Sequence, residues 1–137
     1  MRVVLDTNTV VSGLLWEGPA SVLLQAAREN RIELFTSAVL LAELADVLPR
    51  TKFARKRAAA QLSPEQLARR YALLTSEIIP ADITPAIESD PDDDHVLACA
   101  LAISANLIVS GDRHLLDLGS YQGITIVNPT TALKMLG

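Results

Sequence analysis

Apolar residues fall along the 137-residue chain in short runs broken by polar clusters, and their periods predict alternating strands and helices. Residues 2–5, Arg-Val-Val-Leu, form a β-branched run that predicts a first buried strand. Gly18-Pro19 opens a helical pattern over about residues 20–29, with Val22, Leu23, Ala26 and Ala27 on one face. A second strand is predicted at 32–35. Thr36 or Ser37 fits the cap of a helix carrying Val39, Leu40, Leu44, Val47 and Leu48, which Pro49 stops. Ser63-Pro64-Glu65-Gln66 is a capping box with proline at the first helical position, and its helix should run to about residue 76. Ile78-Ile79-Pro80 predicts a third strand, which Pro80 confines to an end or an edge. Further on, the pattern gives a helix at 95–104 and strands at 107–109 and 125–127. Asn128-Pro129 then caps a last helix reaching about residue 136. Strands alternating with helices imply an α/β sandwich around a mostly parallel sheet.

Composition narrows this picture. Half of the residues are hydrophobic but only 4% are aromatic, so a core can form and must be built from Ala, Leu, Val and Ile. No repeat, low-complexity segment or linker divides the chain, which reads as one domain over 1–137. The longest uncharged stretch, 96–111, is shorter than the roughly 20 residues of a usual membrane span, and Ser104 and Asn106 interrupt it. Asp6 arrives before an apolar leader could form. A cytoplasmic protein with no membrane partner is expected. Cys99 is the single cysteine, which excludes an intrachain disulfide and a multi-cysteine zinc site; in its apolar run it reads as a small core residue. The net charge of −4 excludes nucleic-acid binding by bulk charge, though not by a local basic patch.

Ligands of open parallel sheets bind outside the carboxyl ends of the strands, and that is where the acids gather. Asp6 directly follows the first strand. Asp112 follows the strand at 107–109 after only Ser110 and Gly111. Asp90, Asp92, Asp93 and Asp94 precede a helix, and Glu43 lies within the helix capped at 36 or 37. Each has a plain structural alternative: a turn or cap for Asp6 and Asp112, helix capping for 90–94, an exposed helical position for Glu43. A cap needs one carboxylate, however, and residues 90–94 hold four. Crowded carboxylates repel unless a cation neutralises them, and Mg²⁺ or Mn²⁺ takes hard oxygen ligands of this kind. Such ions can clamp a phosphodiester during in-line displacement.

Other acidic motifs fit less well. Asp90, Asp92 and Asp94 match the start of an EF-hand loop, but His95 and Leu101 stand where that loop needs Gly and Glu. Asp6-Thr7-Asn8-Thr9 is near an aspartyl-phosphate motif, but Asn8 replaces its second Asp. His95 and His114 read more readily as surface histidines beside the site than as ligands.

Four segments, in order, carry a family resemblance: Val-Leu-Asp-Thr-Asn at 4–8, the helical Glu43, Asp-Pro-Asp-Asp-Asp-His-Val-Leu-Ala at 90–98, and Leu-Ile-Val-Ser-Gly-Asp at 107–112. The chain resembles PIN-domain ribonucleases, especially the VapC-like toxins of prokaryotic toxin–antitoxin systems. This resemblance implies a three-layer α/β/α sandwich and Mg²⁺- or Mn²⁺-dependent cleavage of RNA. By position, Asp6, Glu43 and Asp112 match three of the family's acids. The fourth is Asp93 when counted back from the following strand, or Asp94 if the intervening loop differs by one residue. Asn8 and Ser110 match polar positions that orient these acids. A cognate antitoxin and a homodimer are also implied. An RNA-processing nuclease without antitoxin, and a nuclease-inactive fold that only binds protein, remain open.

Seven of the 12 basic residues lie between 50 and 70: Arg50, Lys52, Arg55, Lys56, Arg57, Arg69 and Arg70. Arg50, Lys52, Arg55, Lys56 and Arg57 are the candidate substrate contacts, able to steer RNA toward an otherwise repelling crevice. A solvated face or an antitoxin-binding surface is the alternative. Phe53 stands alone among these charges, so base stacking is not expected.

Overall fold

The computed structural model describes residues 1–84 and 91–137. Strand β1 (Arg2–Leu5) leads into helices α1 (Thr7–Leu15) and α2 (Pro19–Arg28), then β2 (Glu33–Thr36) and α3 (Ala38–Val47). A short 3-10 turn, Thr51–Phe53, precedes α4 (Ala54–Ala60), α5 (Pro64–Leu74) and β3 (Thr75–Glu77). The rest comprises α6 (Pro91–Ala102), β4 (Leu107–Val109), α7 (Arg113–Leu118), β5 (Ser120–Tyr121), β6 (Ile124–Val127) and α8 (Pro129–Leu136).

The six strands form one sheet in the order β3-β2-β1-β4-β6-β5. All neighbours are parallel except β5, which pairs antiparallel with β6 at the edge. Val4 lies between Phe35 and Ile108, which fixes the register at the centre. The period of two then divides the core. Val3, Leu5, Leu107 and Val109 join one apolar cluster with α1, α2, α5 and α8; Val4, Ile108 and Ile126 join the other with α6 and α7. Helices thus cover both faces of the sheet, giving the three-layer α/β/α sandwich that its sequence implied. No helix among the described residues is long and apolar enough to cross a membrane.

Helix α6 starts at Pro91 rather than at 95, so Asp92, Asp93 and Asp94 lie in its first turn, where acids suit the helix dipole. Three further local differences from the sequence pattern also have physical causes. Residues 7–15 form a helix where the β-branched run Thr-Asn-Thr-Val-Val gave no helical signal. Asp6 caps it, and burial of Val10, Val11 and Leu15 holds it. The third strand lies at Thr75–Glu77 rather than at 78–80, and its preceding helix stops at Leu74. Pairing with β2 decides this: Thr75, Ser76 and Glu77 match Leu34, Phe35 and Thr36, and of the expected strand only Ile78 continues the ladder, donating to the Thr36 carbonyl at 2.9 Å. Finally, α4, α7 and β5 are too short to show a period. A two-residue turn, Gln122-Gly123, with φ of 47° and 84°, reverses β5 into β6.

Candidate metal centre

Because five strands run parallel, their carboxyl ends share one edge, and the hydrogen-bond ladder continues past them. The Asp6 amide donates to the Val109 carbonyl at 3.2 Å, and the Ser110 amide to Val127 at 3.0 Å. Asp6 and Ser110 therefore sit side by side on adjacent strand ends. Asp6, 5% exposed, accepts the Thr9 amide on Oδ1 at 2.8 Å and the Ser110 hydroxyl on Oδ2. The same hydroxyl oxygen accepts the Asp112 amide at 2.8 Å, so one buried serine links both strand-end acids. Burial pushes the Asp6 carboxyl above its usual range and the charge of Asp112 adds to this, while the Ser110 and Thr9 bonds oppose it.

Asp112 caps α7, accepting the His114 amide at 2.8 Å and the Leu115 amide at 3.3 Å, both on Oδ1. This turn brings His114 Nδ1 to 3.7 Å from the same oxygen. Asp93 is buried in the first turn of α6, across the sheet end from Asp112. Ligand atoms of Asp93, Asp112 and His114 all lie within 4.8 Å of one another. The two carboxylates supply the hard oxygen donors that Mn²⁺ and Mg²⁺ take, so Asp93 and Asp112 fit such an ion, with His114 beside them.

A cleft of about 440 Å³ joins this cluster to the rest of the site. Asp6, Glu43, Asp46, Asp92, Asp93 and Asp112 line it, against the basic side chains of Arg50 and His95. Glu43, half-buried on α3, accepts a hydrogen bond from the Thr7 side chain at the start of α1. Burial raises its carboxyl, the charges of Asp92 and Asp6 raise it further, and Thr7 and His95 lower it. Six carboxylates facing one cleft set up a field that attracts cations.

Of the acids singled out from the sequence, Asp6, Glu43, Asp93 and Asp112 converge here. Asp94 does not line this cleft; half-buried, it lines a separate hollow with Pro80, Ala81, Asp82 and Ile83. Asp90 lies outside the described residues. Asn8 is exposed on the rim and Ser110 wholly buried beneath. The sequence pattern passed over Thr7 and Asp46 and set His114 aside as a surface residue. Its place two residues after a capping Asp was the available signal. Burial pushes the Cys99 thiol up to about 12, which leaves it inert, as its apolar surroundings implied.

The basic block divides into unlike parts. Arg50 lines the acidic cleft. Arg57 donates from Nη1 to the carbonyls of Leu48 at 2.6 Å and Arg50 at 2.9 Å, clamping α4 to the end of α3. The Lys52 ammonium lies 5.1 Å from the Phe53 ring centroid, and that of Lys56 lies 5.3 Å from the Trp16 ring. Arg55 is exposed, and Arg70 lines a different hollow with Arg28. Phe53 is not alone: the fold brings Trp16 against it, centroids 5.9 Å apart and planes at 78°. Phe53 is the one aromatic interleaved with these charges in sequence, and the fold adds Trp16 from outside the segment.

A solved structure shares this architecture. The crystal structure of FitAcB from Neisseria gonorrhoeae matches with a TM-score of 0.51 at 19% identity, over 93% of this chain and 98% of that one. No curated protein matches the sequence. The family model of the PIN domain matches residues 2–114, from β1 through the Asp112 cap, and so takes in every acid that lines the cleft. The chain belongs to the PIN-domain family.

Proposed function

We propose that this protein is a Mg²⁺- or Mn²⁺-dependent endoribonuclease that hydrolyses RNA phosphodiester bonds and serves as the toxin of a toxin–antitoxin pair. The observation that carries the reading is the convergence of Asp93 and Asp112, with His114 beside them, on a cleft also lined by Asp6 and Glu43. Asp93 and Asp112 would hold the ion, with His114 beside them and Asp6 adding charge; Asp94 is the alternative to Asp93 that spacing alone leaves open. When bound, a divalent ion there offsets phosphate charge and lowers the pKa of a coordinated water. Glu43, whose carboxyl burial holds above its usual range, is suited to accept a proton in the cleft. Ser110 and Thr9 fix the Asp6 carboxylate, so its oxygens need no reordering when charge develops. Arg50 offers a cation to a phosphate at the rim, and Asn8 a neutral hydrogen-bonding group.

The toxin role is supported by the likeness of the segments at 4–8, 90–98 and 107–112 to VapC-like proteins. With it come a cognate antitoxin, a homodimer and a cytoplasmic site of action. A mixed RNA pool incubated with Mg²⁺, Mn²⁺ or chelator, followed by end mapping, tests the reading. Internal cuts are expected with either ion and none with chelator. RNA left intact under all three conditions rejects it in favour of a protein-binding module. Growth arrest on expression, relieved by Asp6→Asn, would distinguish a toxin from an RNA-processing enzyme.

A further inference from the structure

A second hollow, of about 520 Å³, lies between α1 and the turn before α4. Val11, Trp16 and Phe53 supply its apolar lining, and Asn8, Ser12 and Glu17 its polar rim. Asn8 lines both this hollow and the acidic cleft, so the two are neighbours. Trp16 is 39% exposed, with Phe53 set edge-on behind it at 9%. Lys52 and Lys56, both exposed, rest their ammonium groups near the two rings.

We propose that this hollow is a nucleobase subsite, in which an unpaired base of single-stranded RNA stacks on Trp16 while Lys52 and Lys56 take the flanking phosphates. The proposal rests on the ribonuclease reading above and adds to it a place for the substrate's base. Every base has a π-face, so a partly exposed indole stiffened by a second ring is a general stacking platform. Lysine ammonium groups on long stems can leave a ring for a phosphate, and their positive charge offsets repulsion from the neighbouring carboxylates. Asn8, Ser12 and Glu17 provide a donor and acceptors for the edge of a base. An apolar segment of a partner protein would instead bury those three polar groups and two ammonium ions without pairing them. Continuity decides between the two occupants: a strand whose phosphate enters the acidic cleft passes Asn8, and its next base meets Trp16.

Trp16 is the only tryptophan in the chain, so its emission reports on the hollow directly. The cleavage-impaired Asp6→Asn protein with Mg²⁺ is titrated with a short oligouridylate, reading Trp16 emission and, with labelled RNA, anisotropy. Emission should fall in step with binding. An abasic ribose-phosphate oligomer of the same length should bind without quenching. Trp16→Leu should weaken oligouridylate binding about ten-fold while sparing the abasic oligomer, and Trp16→Phe should restore most of the affinity. RNA that binds with unchanged Trp16 emission, or equally well to Trp16→Leu, overturns the subsite, leaves the ribonuclease reading intact and gives the hollow to a partner protein. Absence of any RNA binding, together with intact RNA in the digestion above, rejects both.

Discussion

Ser110 donates to Asp6 and accepts from the Asp112 amide, so truncating it to alanine removes a buried and a part-buried bond at once. The loss should destabilise the fold by about 1–3 kcal/mol, the usual range when buried partners of a charged group are left unmatched. It should also lift the Asp6 carboxyl further, since the Ser110 bond is the largest influence holding it down. If cleavage needs ionised Asp6, the acid limb of the pH–rate profile of Ser110→Ala moves to higher pH; an unmoved limb separates Asp6 ionisation from activity. Asp6 itself carries a second expectation. In the metal-free protein the folded state keeps the Asp6 proton to higher pH than the unfolded chain does. Stability from this residue is therefore fully present below the ordinary carboxylate value, near 4, and is lost as pH rises through the raised folded value. Asp6→Asn removes that dependence and abolishes cleavage while keeping the fold. Melting curves in chelator should show the wild type losing ground to the variant as pH rises over this window, and a constant difference would refute the assignment. Asp6 and Asp112 were legible from sequence because Asp6 directly follows a strand and Asp112 follows one after two residues, and chain order alone places a strand end. His114, Thr7 and Trp16 were not, because their importance comes from partners that the fold supplies: a cap geometry, a helix beginning opposite Glu43, and a ring 37 positions away.

At the scale of elements, the same distinction separates what the pattern gave from what it missed. Helices with a clear start were read almost to the residue, as with Ser63, whose hydroxyl accepts the Gln66 amide while the Gln66 side chain accepts the Ser63 amide in return. Helix α1 left no such trace, because Thr7, Thr9, Val10 and Val11 favour strand locally and only tertiary burial makes them helical. Strand β3 is legible only through its partner: Thr-Ser-Glu has no apolar period, and pairing with Leu34–Thr36 selects it. Gly13 shows how closely α1 is bound into the structure. A Cβ there would fall 2.9 Å from Leu24 Cδ1 and 3.0 Å from the Ala20 carbonyl oxygen. The leucine tip can yield, but the α2 backbone cannot without moving the helix. Gly13→Ala should therefore destabilise by about 1–3 kcal/mol, as overpacking does, despite the better helix propensity of alanine. Because α1 carries Asp6 at its cap and Thr7 at its start, the shift should also reduce cleavage. Denaturant unfolding with activity on the same preparation checks both, and a stabilised variant would show that α1 and α2 separate freely.

Across the whole molecule, an acidic protein has placed six carboxylates in one cleft and most of its basic residues in the segment that follows α3. That asymmetry was visible in the sequence, but the division of labour within the segment was not, since it depends on which carbonyls and rings lie nearby. Arg57 is tied to the Leu48 and Arg50 carbonyls, so reversing its charge would break the clamp and blur any effect on RNA. Arg55 and Lys56, both exposed, are the cleaner pair. Substituting both with Glu replaces two positive charges by two negative ones without withdrawing a backbone hydrogen bond. If each side chain neutralises one phosphate of a single strand, the slope of log affinity against log salt should fall by about 0.7 per substitution, or about 1.4 together. Lowered affinity with an unchanged slope would instead mean that the substitutions act through a salt-independent loss of packing or fold, since charge repulsion is itself screened by salt. The Arg57→Lys variant provides the internal comparison: it keeps the charge, forfeits the two-carbonyl clamp, and should cost stability while leaving the salt slope in place. Filter binding of a labelled single strand at several salt concentrations, beside a melting curve for each variant, separates these outcomes. An unaltered slope in Arg55→Glu/Lys56→Glu removes this pair from the RNA path.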